Sequence, residues 1–538
     1  MLKAFKILLF ACLFLLPARA AQGLTTGDLL MAMKGASSWP PVILARPELT
    51  FSFGTEHFKI HYDITGEYGV YEAEVDEDPP DGIPDYINRM AEYLELSYWT
   101  YHEYLGYDLP PPDEGMGGDD RYDIYVTDIT GLTVPEFPSD YYPDRDAYAS
   151  YSFIGHDLRN EHHPDDPLPL LKATCSHEYF HGVQMAYRAI TEDSTPWWYE
   201  LTACWAEERV FDETNEVYYY LEDYYSMINR SLYATDGSFY YGAWIFAEYF
   251  SQNFDDDIIR LIFEALINFD NSLEAINTAL DEAGINLNDE FLVYSGWNYF
   301  TQAHYKPGFF EEAEYFPSSV PISAEHYAYP TNLIAVPEAI ENLGTSYIYF
   351  VNPAIYKSDL VIEFKSDTQH REGVCLAAIY NDRPVDITTV KCDPEQEITL
   401  RVEDFDECEG AVLAVSWLYQ GHPQAGSAGY CYSAYLDSST VGIMDTENLP
   451  EGQLICRSYP NPFNSSTAIN FSWNFKQTDY TISVYDLLGR RVCQMTGRAA
   501  TGRNNLVWKP DAGIAGGVYF YRLSVGEQAA NGRMIYLK

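Results

Sequence analysis

Residues 173–188 read Ala-Thr-Cys-Ser-His-Glu-Tyr-Phe-His-Gly-Val-Gln-Met-Ala-Tyr-Arg, an H-E-x-x-H pattern at His177, Glu178 and His181. On a helix, residues four apart lie one turn above each other, so both imidazoles can be aimed at one point. That point suits a zinc ion (Zn2+), which in catalytic sites takes three protein ligands and keeps one position open. Glu178 follows the first histidine, so its carboxylate can reach a water at the same point and take its proton as general base. A third ligand is required. Eighteen residues separate His181 from Glu200, which lies in the stretch Trp-Trp-Tyr-Glu-Leu-Thr-Ala-Cys-Trp-Ala-Glu-Glu at 197–208.

Together the two stretches resemble the gluzincin metallopeptidases. In the membrane-alanyl-aminopeptidase-like members, that separation leads to a second helix of the form W-x-x-E-x-x-A-x-x-x-E, matched here by Trp197, Glu200, Ala203 and Glu207. The resemblance implies that Glu200 is the third zinc ligand and that the substrates are proteins or peptides. Glu207, two helical turns beyond Glu200 on the same side, can orient a ligand from behind; Glu208 is expected to face solvent. The family places a tyrosine shortly before a glycine in a downstream helix, where its hydroxyl donates to the oxyanion. Tyr240 and Tyr241, ahead of Gly242, are the two candidates here. It also uses an edge strand ahead of the zinc helix to bind the substrate backbone, a role that 149–153 would fill. The chain departs from the pattern at Tyr199 and Leu201, where the family often has Asn and Gly, and it contains no G-x-M-E-N segment. Exopeptidase action is therefore not implied, and endopeptidase action is expected. The competing class is a catalytically inactive or non-peptidase surface-binding protein that retains a zincin scaffold; intact Glu178 argues against it. A glycan hydrolase would need paired carboxylates across a sugar cleft.

The elements that must hold these residues can be traced from pattern. Phe58, Ile60 and Tyr62 alternate as in a strand, and Ile87, Met90, Leu94, Tyr98 and Tyr101 form a helical stripe within 83–104. Strands are expected at 123–127 and 147–154, separated by a loop rich in Pro, Asp and Tyr. Aromatic and amphipathic helices follow at about 239–250, 258–267, 273–283 and 288–301. Asp76, Asp78, Asp81 and Asp85 around Gly82 look like an abbreviated calcium loop (Ca2+), or else an acidic, proline-stiffened turn capping the next helix. His156, His162 and His163 read as loop histidines. Cys175 and Cys204 flank the ligands and could be bridged, stapling the two helices, or could be buried thiols.

With 538 residues, several domains are expected. The fold class is multidomain: an α+β zincin-like metallopeptidase domain (51–305) followed by two β-sandwich domains (320–440 and 456–538), with 441–455 as linker. Residues 1–20 have the charge, apolar run and small residues of a cleavable signal peptide, and 21–50 form an N-terminal arm or pro-segment. No later stretch is long enough to span a bilayer, so no transmembrane anchor is expected. Eighty-one acidic against 32 basic residues give a net charge of −49, which argues against nucleic acid as a partner. In the last unit, Tyr-Pro-Asn-Pro-Phe-Asn at 459–464, Asp-Leu-Leu-Gly-Arg at 486–490 and Gly-Gly-Val-Tyr-Phe-Tyr-Arg-Leu at 516–523 resemble the C-terminal sorting domain of bacterial type IX secretion cargo. That resemblance implies the type IX secretion machinery as a partner and a secreted or cell-surface location beyond the outer membrane.

Overall fold

The computed structural model describes residues 45–189, 191, 193, 196–234, 238–353, 357–437 and most of 456–538, preceded by 15–16, 25–26, 29 and 43–44. The expected leader and the linker 441–455 lie outside the described residues, apart from Leu15–Leu16, whose backbone pairs with Ile43–Leu44. The chain is multidomain, dividing into one unit over 1–441 and a second over 442–538.

The first unit opens on a five-stranded sheet made of β1 (Phe51–Gly54), β2 (Phe58–Tyr62), β3 (Tyr122–Thr127), β4 (Gly131–Pro138) and β5 (Tyr148–Gly155), in the order β1-β2-β3-β5-β4. The three central strands run parallel and the two outer ones antiparallel to them. Between β2 and β3 lies α1 (Asp85–Tyr98), whose Ile87, Met90 and Leu94 meet Phe58, Ile60 and Tyr62 in the core. β4 lies where the sequence suggests only a loop. Its Pro135 and Pro138 are compatible with a strand because β4 is an edge and its ladder bulges between Pro135 and Phe137. The expectation that 149–153 forms the edge is thereby corrected: β5 is interior, covered by the hairpin partner that precedes it.

Helices α2 (Leu168–Gln184) and α3 (Trp197–Phe211) follow, both buried on nearly every side, as helices apolar all round must be. Pro169 in the first turn of α2, and Pro196 just ahead of α3, sit where no intrahelical N–H is needed. Next come α4 (Leu221–Ser226), α5 (Phe239–Gly242), α6 (Trp244–Phe254), α7 (Asp257–Leu266), α8 (Ser272–Glu282) and α9 (Leu287–Tyr299).

Two further sheets complete the unit. One joins β6 (Ile322–His326), β8 (Thr345–Val351), β10 (Glu372–Tyr380), β11 (Asp386–Cys392) and β13 (Cys408–Trp417) in the order β11-β10-β13-β8-β6. The other joins β7 (Ile334–Ile340), β9 (Asp359–Lys365), β12 (Glu397–Val402) and β14 (Ala428–Asp437) in the order β12-β9-β14-β7. Period-two alternation divides the five-stranded sheet between two cores. Ile348, Phe350, Leu376 and Leu413 face the four-stranded sheet, whereas Tyr347, Cys375, Ala377 and Val412 join the core of the helices. Gly296 of α9 permits the close approach, since a Cβ there would lie 2.7 Å from Cys375 Sγ. The helices and the double sheet therefore share one continuous core.

The second unit packs a three-stranded sheet, β15 (Cys456–Tyr459), β16 (Thr467–Trp473) and β19 (Gly502–Trp508), with a four-stranded one, β17 (Thr478–Tyr485), β18 (Arg491–Ala499), β20 (Gly517–Val525) and β21 (Gln528–Tyr536). Ile469, Phe471, Ile482, Val484, Tyr521 and Leu523 fill its core.

Candidate metal centre

α2 and α3 lie side by side, with His177 and His181 one turn apart on the first and Glu200 in the first turn of the second. The Nε2 atoms of His177 and His181 are 3.1 Å apart, and Glu200 Oε2 is 3.5 Å from the former and 3.4 Å from the latter. Ligands on zinc at roughly 2.0–2.1 Å in a tetrahedron are separated by about 3.3 Å, so these three atoms form one face of such a tetrahedron. The donor set therefore fits zinc.

The remaining polar atoms fix this arrangement. His177 Nδ1 donates to Glu207 Oε1 at 2.7 Å, and His181 Nδ1 donates to Gln184 Oε1 at 2.8 Å, which leaves both Nε2 lone pairs aimed at the centre. Gln184 is itself oriented, its amide nitrogen donating to Tyr199 O at 2.8 Å and Thr202 Oγ1 at 3.0 Å. A second group, His177, Cys204 and Glu207, also lies close enough to be considered. Its 2.7 Å nitrogen–oxygen distance is that of a hydrogen bond rather than of two ligands on one ion. Burial also pushes the Cys204 thiol up to about 12, keeping it protonated.

Burial would raise the Glu200 carboxyl, but the facing imidazoles of His181 and His177 hold it well below the usual carboxylate range. Burial would lower His177, yet hydrogen bonding to Cys204, Glu200 and Glu207 raises it. Glu178 is 5% exposed and burial pushes it upward against the pull of His181 and His177, the direction a proton acceptor working near neutrality needs. Its Oε2 lies 2.8 Å from Thr133 Oγ1 and 3.4 Å from Thr26 Oγ1, while a Cβ on Gly131 would meet its Oε1 at 2.5 Å. Glycine at the start of β4 therefore lets the carboxylate take this position, which a side chain there would have to displace.

His177, Glu178, Glu207 and Tyr241 line a cleft of about 500 Å³, together with Glu216 and Tyr220. Of the two tyrosine candidates, Tyr241 faces the cleft, its ring 6.2 Å from that of His177; Tyr240 is not among the lining residues. Burial, then the charge of Glu200, raises the Tyr241 phenol and keeps it a donor. Tyr220, Glu216, Thr133 and Gln184 were not singled out from sequence. Gln184 alone carried a signal there, lying three residues beyond His181 on the same face.

The acidic loop at 76–85 is hydrogen-bonded as a turn. Asp76 accepts the N–H groups of Asp81 and Gly82, both at 2.9 Å, and Asp85 those of Glu77 and Asp78 at 2.9 and 3.1 Å. Asp81 accepts from Ile83 N, and Asp78 pairs with Arg89. The acidic loop thus turns its carboxylates onto its own backbone and the following helix, and among the described residues the four do not converge as a metal-binding group. Cys175 and Cys204 are both unbridged, as are the other described cysteines. Cys204 faces His177 at 4.0 Å, whereas Cys175, two residues before His177, points to the far side of α2. Glu208 is buried rather than solvent-facing, and neighbouring Glu248 and Glu207 add to burial in pushing it up to about 9. His156 contacts Gly69 O, His162 stacks on Tyr219, and His163 pairs with Glu216.

Compared with known proteins, residues 457–536 match the family described as secretion system C-terminal sorting domain. No curated protein matches the chain. Among solved structures, it is similar to a Faecalibacterium prausnitzii β-glucuronidase (12% identity, 36% of each chain, TM-score 0.13) and a Parabacteroides merdae β-glucuronidase (14%, 37% of this chain and 29% of that one, 0.13). It is also similar to dimeric latent PorU from Porphyromonas gingivalis (9%, 38% and 34%, 0.14). The chain spans about a third of these proteins, and TM-scores this low carry no inference about its fold or chemistry. The sorting domain marks the chain as bacterial cargo of the type IX secretion machinery, exported to the surface or the medium.

Proposed function

We propose that this exported protein is a zinc metallopeptidase of gluzincin type, hydrolysing internal peptide bonds of proteins or peptides with an activated water. The observation that carries this reading is the convergence of His177, His181 and Glu200 at tetrahedral spacing, with the carboxylate of Glu178 beside them at an open cleft. Zinc, when bound, supplies Lewis acidity. Glu178 takes the proton of the attacking water and returns it to the leaving amine, while Thr133 keeps its carboxylate aimed at the cleft. Tyr241 donates its hydroxyl to the developing oxyanion. β4, an edge among the described strands, offers backbone groups along which an extended substrate can lie.

The test is cleavage of an unstructured protein such as casein by wild type and Glu178→Gln, each with and without a chelator. Chelator-sensitive cleavage lost in the variant supports the assignment. Absence of such cleavage over a broad substrate panel favours a surface-binding protein that has kept the scaffold without the activity.

A further inference from the structure

One contact of the centre is supplied by the chain's own N-terminal segment, and its significance rests on the peptidase reading. Thr26 is buried; its hydroxyl accepts the N–H of Thr133 at 2.8 Å and donates to Glu178 Oε2 at 3.4 Å, while neighbouring Thr25 lines the cleft. Leu29 is buried with Leu132, Val134, Tyr151 and Phe153, the residues of β4 and β5 that face away from Glu178. Thr26 and Leu29 therefore hold β4 on both faces. Farther along, Arg46 is clamped by the carboxylates of Asp113, Asp123 and Glu136, and its guanidinium lies 4.7 Å over the Tyr151 ring.

Among the described residues β4 is hydrogen-bonded to another strand through β5 alone, so the outward N–H of Thr133 is the group that an added peptide strand would use. Thr26 takes that donor and the Glu178 carboxylate together. We infer that Thr25, Thr26 and Leu29 act as a tethered competitor of substrate, closing the centre until they are displaced, with Arg46 the next clamped residue described along the chain. Tethering makes modest contacts sufficient, because a segment held on the same chain acts at an effective concentration of the order of millimolar.

The test compares full-length wild type, Thr26→Val, Thr26→Val with Leu29→Asp, and Thr26→Ser, all equilibrated with zinc. Two quantities are read: hydrogen exchange at the Thr133 amide, and the Kd of a fluorescent peptide hydroxamate. The double variant is expected to exchange at Thr133 and to bind the peptide about tenfold faster and tighter respectively, Thr26→Val is expected to change both in the same direction by less, and Thr26→Ser stays near wild type. Exchange unchanged in the double variant, or peptide affinity equal in all four proteins, including no binding in any, overturns the inference. The peptidase reading fails separately, if adding Glu178→Gln to the double variant leaves its turnover of casein unchanged.

Discussion

The two imidazoles of α2 are each fixed by a different acceptor on the Nδ1 side, Glu207 for His177 and Gln184 for His181. Removing such an acceptor frees the ring to rotate and change tautomer without deleting a ligand. Glu207→Ala is therefore expected to weaken zinc affinity by about 10–100-fold while stoichiometric binding persists at high zinc, as measured by competition with a chromogenic chelator. Glu178→Gln keeps the ligands and removes the proton acceptor. Zinc content should stay at the wild-type level while kcat/KM falls by about 10²–10⁴-fold. Tyr241→Phe deletes the hydroxyl proposed to donate to the oxyanion, so kcat should drop by about 10²–10³-fold with little change in KM; a change confined to KM would place the tyrosine in ground-state binding instead.

How α2, α3 and β4 come together explains what could be read from the sequence. The i, i+4 spacing of His177 and His181, and the return of a carboxylate at Glu200, carry the candidate ligand set because a helix converts spacing into direction. Thr133, Gly131 and Thr26 were not legible: they reach Glu178 from a strand and an arm distant in sequence, and nothing in their local pattern marks them. β4 itself was hidden by Pro135 and Pro138, which only an edge position reconciles with a strand. The acidic loop stays open to two readings in the sequence because carboxylates at short intervals serve backbone N–H groups as readily as they serve a cation. Gly131→Ala tests the packing of strand against helix. Its Cβ would lie 2.5 Å from Glu178 Oε1, so the variant should bind zinc normally yet lose activity, whereas full activity would mean that the carboxylate has room to move.

Across the molecule, export and stability are expected to depend on regions far from the centre. Deleting 457–538 in the native bacterium should strand the protein on the inner side of the outer membrane, as read by cell fractionation, since that region carries the sorting domain. Glu372 is buried in β10, and burial pushes its carboxyl up to about 8. The native state thus holds a proton that the unfolded chain releases near about 4.3, so this contribution to stability is complete below that value and is lost as pH rises through about 8. The thermal midpoint should fall over that range, and Glu372→Gln should flatten the fall. Zinc K-edge X-ray absorption on the purified protein tests the proposed centre most directly. One zinc per chain with a nitrogen and oxygen shell at about 2.0–2.1 Å, lost on Glu200→Gln, is the predicted result; absence of zinc, or a sulfur neighbour at about 2.3 Å that implicates Cys204, would contradict it.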